Sequence, residues 1–163
     1  MRNQNLYLTE LSRELCHRFY QNLVQDPDLF ADMTQFSPYR YDPQKVDAWY
    51  QNRQSQKDRK HFYIMLDDEV IGEVGFKHMN PVEKSCELTI CMVNDGYKNR
   101  GYGTQAETLA LKYAFEKLGM ETVLADALIK NTRSQHVLEK VGFTCIGQDE
   151  MFRSYRCSKF TEK

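Results

Sequence analysis

Apolar positions along this chain follow two rhythms, and the switch between them marks its elements. Leu6 to Leu8 is a short apolar opening that can form a first strand. Behind it, Thr9 or Ser12 can cap a helix in which Leu15, Phe19 and Leu23 recur every four residues, until Asp26-Pro27 interrupts it. Asp42-Pro43 is a second helix start, an N-cap followed by proline at the first helical position. That helix carries Val46, Trp49 and Tyr50 and runs to about Gln56, ahead of a charged KDRK turn.

From His61 the period becomes two. His61 to Leu66 and Val70 to His78 read as strands around the turn Asp67-Asp68-Glu69, and Met79 to Lys84 as a loop. Cys86 to Val93 is a third strand, with Leu88, Ile90 and Met92 on one face and Glu87, Thr89 and Cys91 on the other. A polar segment, Asn94 to Arg100, leads through Gly101-Tyr102-Gly103 into a helix with Ala106, Leu109, Ala110, Tyr113, Ala114 and Leu118 on its apolar face, closed by Gly119. Thr122 to Leu128 is a further strand, Asn131 caps a helix ending at Val141-Gly142, and Thr144 to Gln148 with Phe152 to Ser158 make a closing hairpin. The strand–helix–strand unit requires a parallel pair in the centre, and the hairpins require antiparallel neighbours elsewhere. The expected fold class is α/β (α+β): a mixed, mostly antiparallel sheet with helices on both faces.

Composition narrows the options. The 163 residues, 41% of them hydrophobic and 28% charged, fit one domain spanning 1–163, with no linker or repeat. A net charge of -1 argues against a nucleic-acid partner. No apolar run reaches the roughly 20 residues of a membrane span, and the mean hydropathy is -0.67. The N-terminal residues lack the apolar stretch of a signal peptide, so a cytoplasmic protein without membrane attachment is expected. Five cysteines with no CxxC pair and four histidines with no HExxH suggest neither a disulfide framework nor a metal site.

The chemistry concentrates in Lys98-Asn-Arg100-Gly101-Tyr102-Gly103-Thr104, between a strand and an amphipathic helix. Glycines let backbone N–H groups approach a ligand closely, and a helix N-terminus supplies unpaired donors and partial positive charge. Together with Lys98 and Arg100 these describe a pyrophosphate cradle; a plain glycine turn is the simpler reading. No GxxxxGK[ST] is present. Gly101, Gly103 and Ala106 match GxGxxA, but seven residues separate them from the strand end and only about sixty follow, so a nicotinamide-binding sheet is disfavoured.

The segments ELTICMVNDGYKNRGYGTQA, LKYAFEKLGM and NTRSQHVLEKVGF resemble the GNAT family of N-acetyltransferases, nearest its ribosomal-protein N-terminal-amine branch. Lys98, Gly101 and Gly103 occupy the family's [R/Q]xxGxG/A signature, with Lys replacing the usual Arg or Gln. The likeness covers about Phe62 to Ser158 in matching order, and the helical N-terminal third more loosely. It implies an enzyme that binds acetyl-coenzyme A, without a metal, in a V-shaped opening between the strand ending at Val93 and that of Thr122 to Leu128. Cys91, Met92 and Val93 would pair with the pantetheine, the N–H groups of Arg100, Gly101, Tyr102, Gly103 and Thr104 would hold the pyrophosphate beside Lys98, and Asn131 would bond the pantetheine.

The implied reaction is direct attack by a primary amine of a protein N-terminus, small molecule or amino acid. Glu87, charged on an otherwise apolar strand, is the candidate base if burial raises its pKa; an ion-paired structural Glu87 is the competing reading. Glu73 is a second candidate base, and a backbone N–H near Met92 or Val93 the oxyanion donor. Many family members place a Tyr acid seven residues after the Asn, but Leu138 stands there, leaving Ser134 as a donor or merely a helix-capping residue. Of the aromatic group Phe36, Tyr39, Tyr41, Trp49 and Tyr50, Tyr39 and Tyr41 are expected to contact substrate, Trp49 to be structural, and Tyr155 to be a further contact. A non-catalytic acyl-coenzyme A sensor is the alternative. Pairing through the C-terminal strands would give a homodimer.

Overall fold

The structure is a computed structural model that describes residues 4–26 and 37–159. Seven strands form one sheet: β1 (Leu6–Glu10), β2 (Lys60–Leu66), β3 (Glu69–Asn80), β4 (Ser85–Met92), β5 (Thr122–Leu128), β6 (Thr144–Gln148) and β7 (Phe152–Ser158). Their spatial order is β1-β2-β3-β4-β5-β7-β6. Every pairing is antiparallel except the parallel β4–β5 pair in the middle.

Helices α1 (Arg13–Asn22) and α2 (Pro43–Ser55) lie against one face; α3 (Tyr102–Glu116) and α4 (Thr132–Val141) lie against the other. The alternation along β2 sorts the two cores. Phe62 and Ile64 join Val74, Phe76 and Leu88 beneath α3 and α4, while Tyr63 and Met65 meet Cys16, Phe19 and Val46 of α1 and α2. A bulge between Ile64 and Met65 interrupts the β2–β3 register.

The helix ends follow their local chemistry. Ser12, not Thr9, caps α1, because Thr9 is already paired with Tyr63 in the sheet. Asp42 accepts from the N–H groups of Gln44 and Lys45, and Asn131 from that of Ser134. Gly119 and Gly142 sit at positive φ after α3 and α4. Met79 and Asn80, expected in a loop, extend β3, leaving a turn of four residues before β4.

On α3 the buried stripe is rotated from the expected one. Ala106, Ala110 and Ala114 are fully covered, but Leu109 is 39% exposed, and Glu107 and Leu111 are buried instead. Small alanines let the helix sit close to the sheet, and the faces flanking them therefore bury residues 107 and 111 rather than 109. No helix of the described residues is long and apolar enough to cross a membrane.

Candidate active site

The sheet opens at its middle. β4 and β5 pair only where Ser85, Cys86 and Glu87 meet Thr122, Val123 and Leu124. Beyond Glu87 the strands diverge: β4 continues with β3 alone, and β5 with β7 alone. The inner edge of β4 past Glu87 is therefore without a strand partner, and the gap matches the V-shaped opening that the family resemblance implies. Thr89 and Cys91 are exposed although they sit on a central strand, because α1 and α2 cover β2 and β3 but leave this groove open.

At the open end, a 3-10 turn (Asp95–Tyr97) leads to Gly101, whose φ of 81° places it in the left-handed region as the N-cap of α3. No side chain caps this helix start, so its first N–H groups are not spent on a cap. A Cβ on Gly101 would meet nothing within 4 Å, and one on Gly103 only Val137 at 3.9 Å. The space beside Gly101 and Gly103 is accordingly clear, which fits a coenzyme's pyrophosphate. Tyr102 is buried, with its hydroxyl donating to Gln4. Lys98 is already engaged: its ammonium lies 2.6 Å from Asp95 and 3.6 Å from Asp26. Its charge is shared with these carboxylates rather than held in reserve for a phosphate.

Several expectations change on the strand itself. The Val93 N–H donates to the Ile71 carbonyl, and the Val93 carbonyl accepts from the Val24 N–H. Val93 is therefore neither a free pantetheine partner nor a free oxyanion donor, and Cys91, two positions along the same ladder opposite Glu73, also turns its backbone groups toward β3, which leaves Met92. Asn131 Oδ1 is occupied by capping α4 through the Ser134 N–H. Leu138 is a core residue, so no acid replaces the usual tyrosine there.

The burial expected at Glu87 is not found. It stands at the last paired position of β4, partly exposed, with His78 at 3.1 Å and Lys77 at 3.5 Å. The ion-paired reading describes it.

Glu73 occupies a different setting. It pairs in register with Cys91 across β3–β4 and with Tyr63 across β2–β3. Its Oε2 lies 3.1 Å from His61 Nε2; both atoms are buried, and neither has an aligned hydrogen bond. Trp49 and Tyr63 pack edge-on against the His61 ring at 5.3 and 5.0 Å, and Tyr20 packs against Trp49 and Tyr39. Burial, with Glu73 adding to it, raises the Tyr20 and Tyr63 hydroxyls far above their ordinary range, so both stay neutral. Cys91 is exposed along the groove, yet the protein packed around its sulfur desolvates the thiol and, with the Glu73 charge, pushes it up to about 11, which leaves it protonated and a poor nucleophile.

The structure brings Tyr39 into this aromatic wall, and Trp49 packs against the core beneath α1 and α2, as expected of a structural residue. Tyr41 instead joins α1 to α2: its hydroxyl lies 2.5 Å from His17 Nδ1, and His17 Nε2 lies 2.7 Å from Asp47, which Arg13 also holds. Tyr155 is overturned as a substrate contact, being fully buried beneath α4 with its hydroxyl donating to Glu139. Phe36 lies outside the described residues. His61 carried no sequence signal, since its meeting with Glu73 depends on the β2–β3 register.

A cleft of about 290 Å³ continues from His61 and Thr89 past Gly75 to Arg53, Gln56 and Arg59 at the end of α2. Among the described residues, no group of three or more His, Cys, Asp or Glu is placed to hold a metal.

Residues 5–144 match the family described as Acetyltransferase (GNAT) domain. The chain is similar to acetyltransferase PseH of Campylobacter jejuni, with 27% identity over 129 residues covering 78% of each chain. The crystal structure of that organism's N-acetyltransferase PseH has a TM-score of 0.71 at 18% identity, covering 94% of this chain and 98% of that one. Spermidine N-acetyltransferase from Vibrio cholerae, solved in complex with CoA and spermine, has a TM-score of 0.78 at 18% identity, covering 94% and 95%. With the family matched over most of its length and the fold shared, the chain belongs to the GNAT acetyltransferases, which take their acetyl group from acetyl-coenzyme A.

Proposed function

We propose that this enzyme acetylates a primary amine delivered to the groove over Thr89 and Cys91, with the Glu73–His61 pair removing the amine's proton. The observation that carries the reading is the close, unaligned approach of two buried polar atoms, Glu73 Oε2 and His61 Nε2, at 3.1 Å beside an exposed stretch of a central strand. A primary amine with a pKa near ~10.4 arrives protonated. The Glu73 carboxylate attracts the cation, the aromatic wall of Tyr20, Tyr39 and Trp49 gives it an apolar border, and His61 accepts a proton as the nitrogen lone pair is released.

Acetyl-coenzyme A supplies a thioester carbonyl to this nitrogen. The C–N bond forms, the C–S bond breaks, the thiolate leaves with the electron pair, and the second proton of the attacking nitrogen passes to that thiolate or to solvent. A thiol pKa of about 8.5 makes that group a tolerable anion near neutrality. Only a weak donor is then needed, and Ser134 or solvent suffices in place of the tyrosine that Leu138 replaces. The Met92 N–H is the backbone donor assigned to the oxyanion, and the neutral Cys91 thiol supports direct attack over an acetyl-cysteine. Backbone N–H groups of Arg100 to Thr104 hold the pyrophosphate, and Asn131 borders the pantetheine.

The acceptor class is open to small amines. Spermidine is the acceptor of the Vibrio neighbour, and a protein N-terminus is that of the branch whose motifs the chain resembles. The test follows thiol release from acetyl-coenzyme A over an amine panel. Glu73→Gln and His61→Asn should each lower kcat by about 10²–10⁴, while thermal stabilisation by acetyl-coenzyme A persists. Loss of turnover in Glu87→Gln alone would move the base to β4. Stabilisation without turnover on any amine would make the chain an acyl-coenzyme A sensor.

A further inference from the structure

The cleft that leads away from His61 has walls that no acetyl transfer requires. Its floor includes the cross-strand row His61, Gly75 and Thr89. Its far wall is the end of α2 and the turn into β2, carrying Arg53, Gln56 and Arg59. Three cations line it, but they are not equivalent. Lys60 is matched by Glu10 at 2.7 Å. Arg53 and Arg59 have no carboxylate within ion-pair distance among the described residues, and Arg53 Nη1 donates only to the neutral Gln56 Oε1.

Two half-buried guanidiniums sharing one wall with no carboxylate in direct contact is an unfavourable arrangement, which the more distant Glu73 offsets only in part. Burial and the like charge of Arg59 lower the Arg53 pKa, against a smaller opposing pull from the Glu73 carboxylate. Arg53 is also held in place, with its guanidinium 4.9 Å over the Trp49 ring. The same ring packs on His61, so the cation is rigidly tied to the proposed amine site. The acidic groups on or beside the cleft are Glu10, spent on Lys60, and Glu73, facing His61.

We infer that Arg53 and Arg59 form an anion subsite, and that the natural acceptor is a small amine carrying a phosphate or carboxylate at its other end. The inference rests on the acceptor reading above. Charge is polarised along the cleft, with a carboxylate where the ammonium must lose its proton and two planar guanidiniums at the far wall. Neighbouring positions on one strand face are about 6.8 Å apart. Glu73 and Gly75 are such neighbours on β3, so a short skeleton whose ammonium lies over Glu73 and which runs past Gly75 carries its far end toward the Arg53–Arg59 wall. Guanidinium forks bind phosphate and carboxylate through paired charge-assisted hydrogen bonds. A polyamine, by contrast, would place its second cation against Arg53 and Arg59.

The test compares kcat/KM for matched acceptors: aminopentyl phosphate against aminopentanol, aminohexanoate against aminohexanamide, and spermidine. Charge-assisted hydrogen bonds predict a preference of about tenfold or more for the anionic member of a pair. The phosphate and carboxylate arms show which anion is favoured. Arg53→Gln or Arg59→Gln should shrink that ratio toward one, and added salt should narrow it in the wild type. Equal rates for charged and neutral members, or spermidine as the preferred acceptor, would overturn the inference while leaving amine acetylation intact. If no amine turns over, the acceptor reading fails. The subsite is then tested by thermal shift with inorganic phosphate in saturating coenzyme A, which occupies the cofactor's own phosphate site. A shift lost in Arg59→Gln supports the subsite, and an unchanged shift overturns it.

Discussion

Glu107 is the residue whose surroundings least suit its charge. It is 1% exposed on α3, and its Oε2 has no hydrogen-bond partner. Burial pushes its pKa from 4.5 up to about 8. The folded state therefore holds a proton that the unfolded chain releases near pH 4.5. Stability from this group is complete below that pH and is lost as pH rises through about 8, by about 1.4 kcal/mol for each pH unit between the two values. Glu107→Gln keeps the shape without the titration. Thermal unfolding at pH 5 and pH 8 should show a much smaller fall in the variant than in the wild type, and parallel falls would count against a buried neutral carboxyl. Sequence periodicity did not flag Glu107, because a charged residue beside Ala106 reads as the solvent face. The i, i+4 partnership with Leu111 was the signal available.

Among the elements, the β2–β3 pair shows how a glycine places the candidate chemistry. A Cβ on Gly75 would stand 2.4 Å from the Lys60 carbonyl oxygen and 3.2 Å from the His61 Cα. Both are backbone atoms that cannot swing aside, so only glycine lets the start of β2 press this closely onto β3. His61 is carried on that pressed segment and reaches Glu73. Gly75→Ala should destabilise the fold by about 1–3 kcal/mol and lower turnover more than it weakens acetyl-coenzyme A binding. Denaturant titration and kinetics check the two halves separately. Intact turnover in a destabilised variant would show that His61 keeps its place without this contact.

Across the whole molecule, what could be read from sequence depended on how local the cause was. The β5, α4, β6 and β7 spans follow from alternation, an Asn cap and a glycine stop, all set within a few residues. The uncapped glycine turn at the start of α3, to which we assign the coenzyme's pyrophosphate, was legible because its glycines, its strand and its helix are consecutive in sequence. The acceptor side was not. Glu73, His61, Trp49 and Arg53 come from β3, β2 and α2 and meet only through strand register and helix placement. Glu87 drew attention as a charge on an apolar strand, a pattern that does not reveal Lys77 and His78 waiting across the β3–β4 ladder. Tyr155 was misplaced for a related reason, since alternation identifies two faces but not which one α4 covers.

The short β4–β5 zipper has a mechanical consequence. Four strands on one side and three on the other are joined within the sheet by three consecutive residue pairs. In the free protein this seam can behave as a hinge, with backbone amides along the diverging edges exposed to solvent exchange. A pantetheine arm laid along β4 would splint it. Acetyl-coenzyme A should therefore slow amide exchange along β4 past Glu87 and reduce breathing of β5 and β7, far from the pyrophosphate cradle. Protection confined to residues 98–104 would mean that the seam is already rigid. If the splint operates, the enzyme tightens around its first substrate before the amine arrives, and bisubstrate kinetics should show acetyl-coenzyme A binding first.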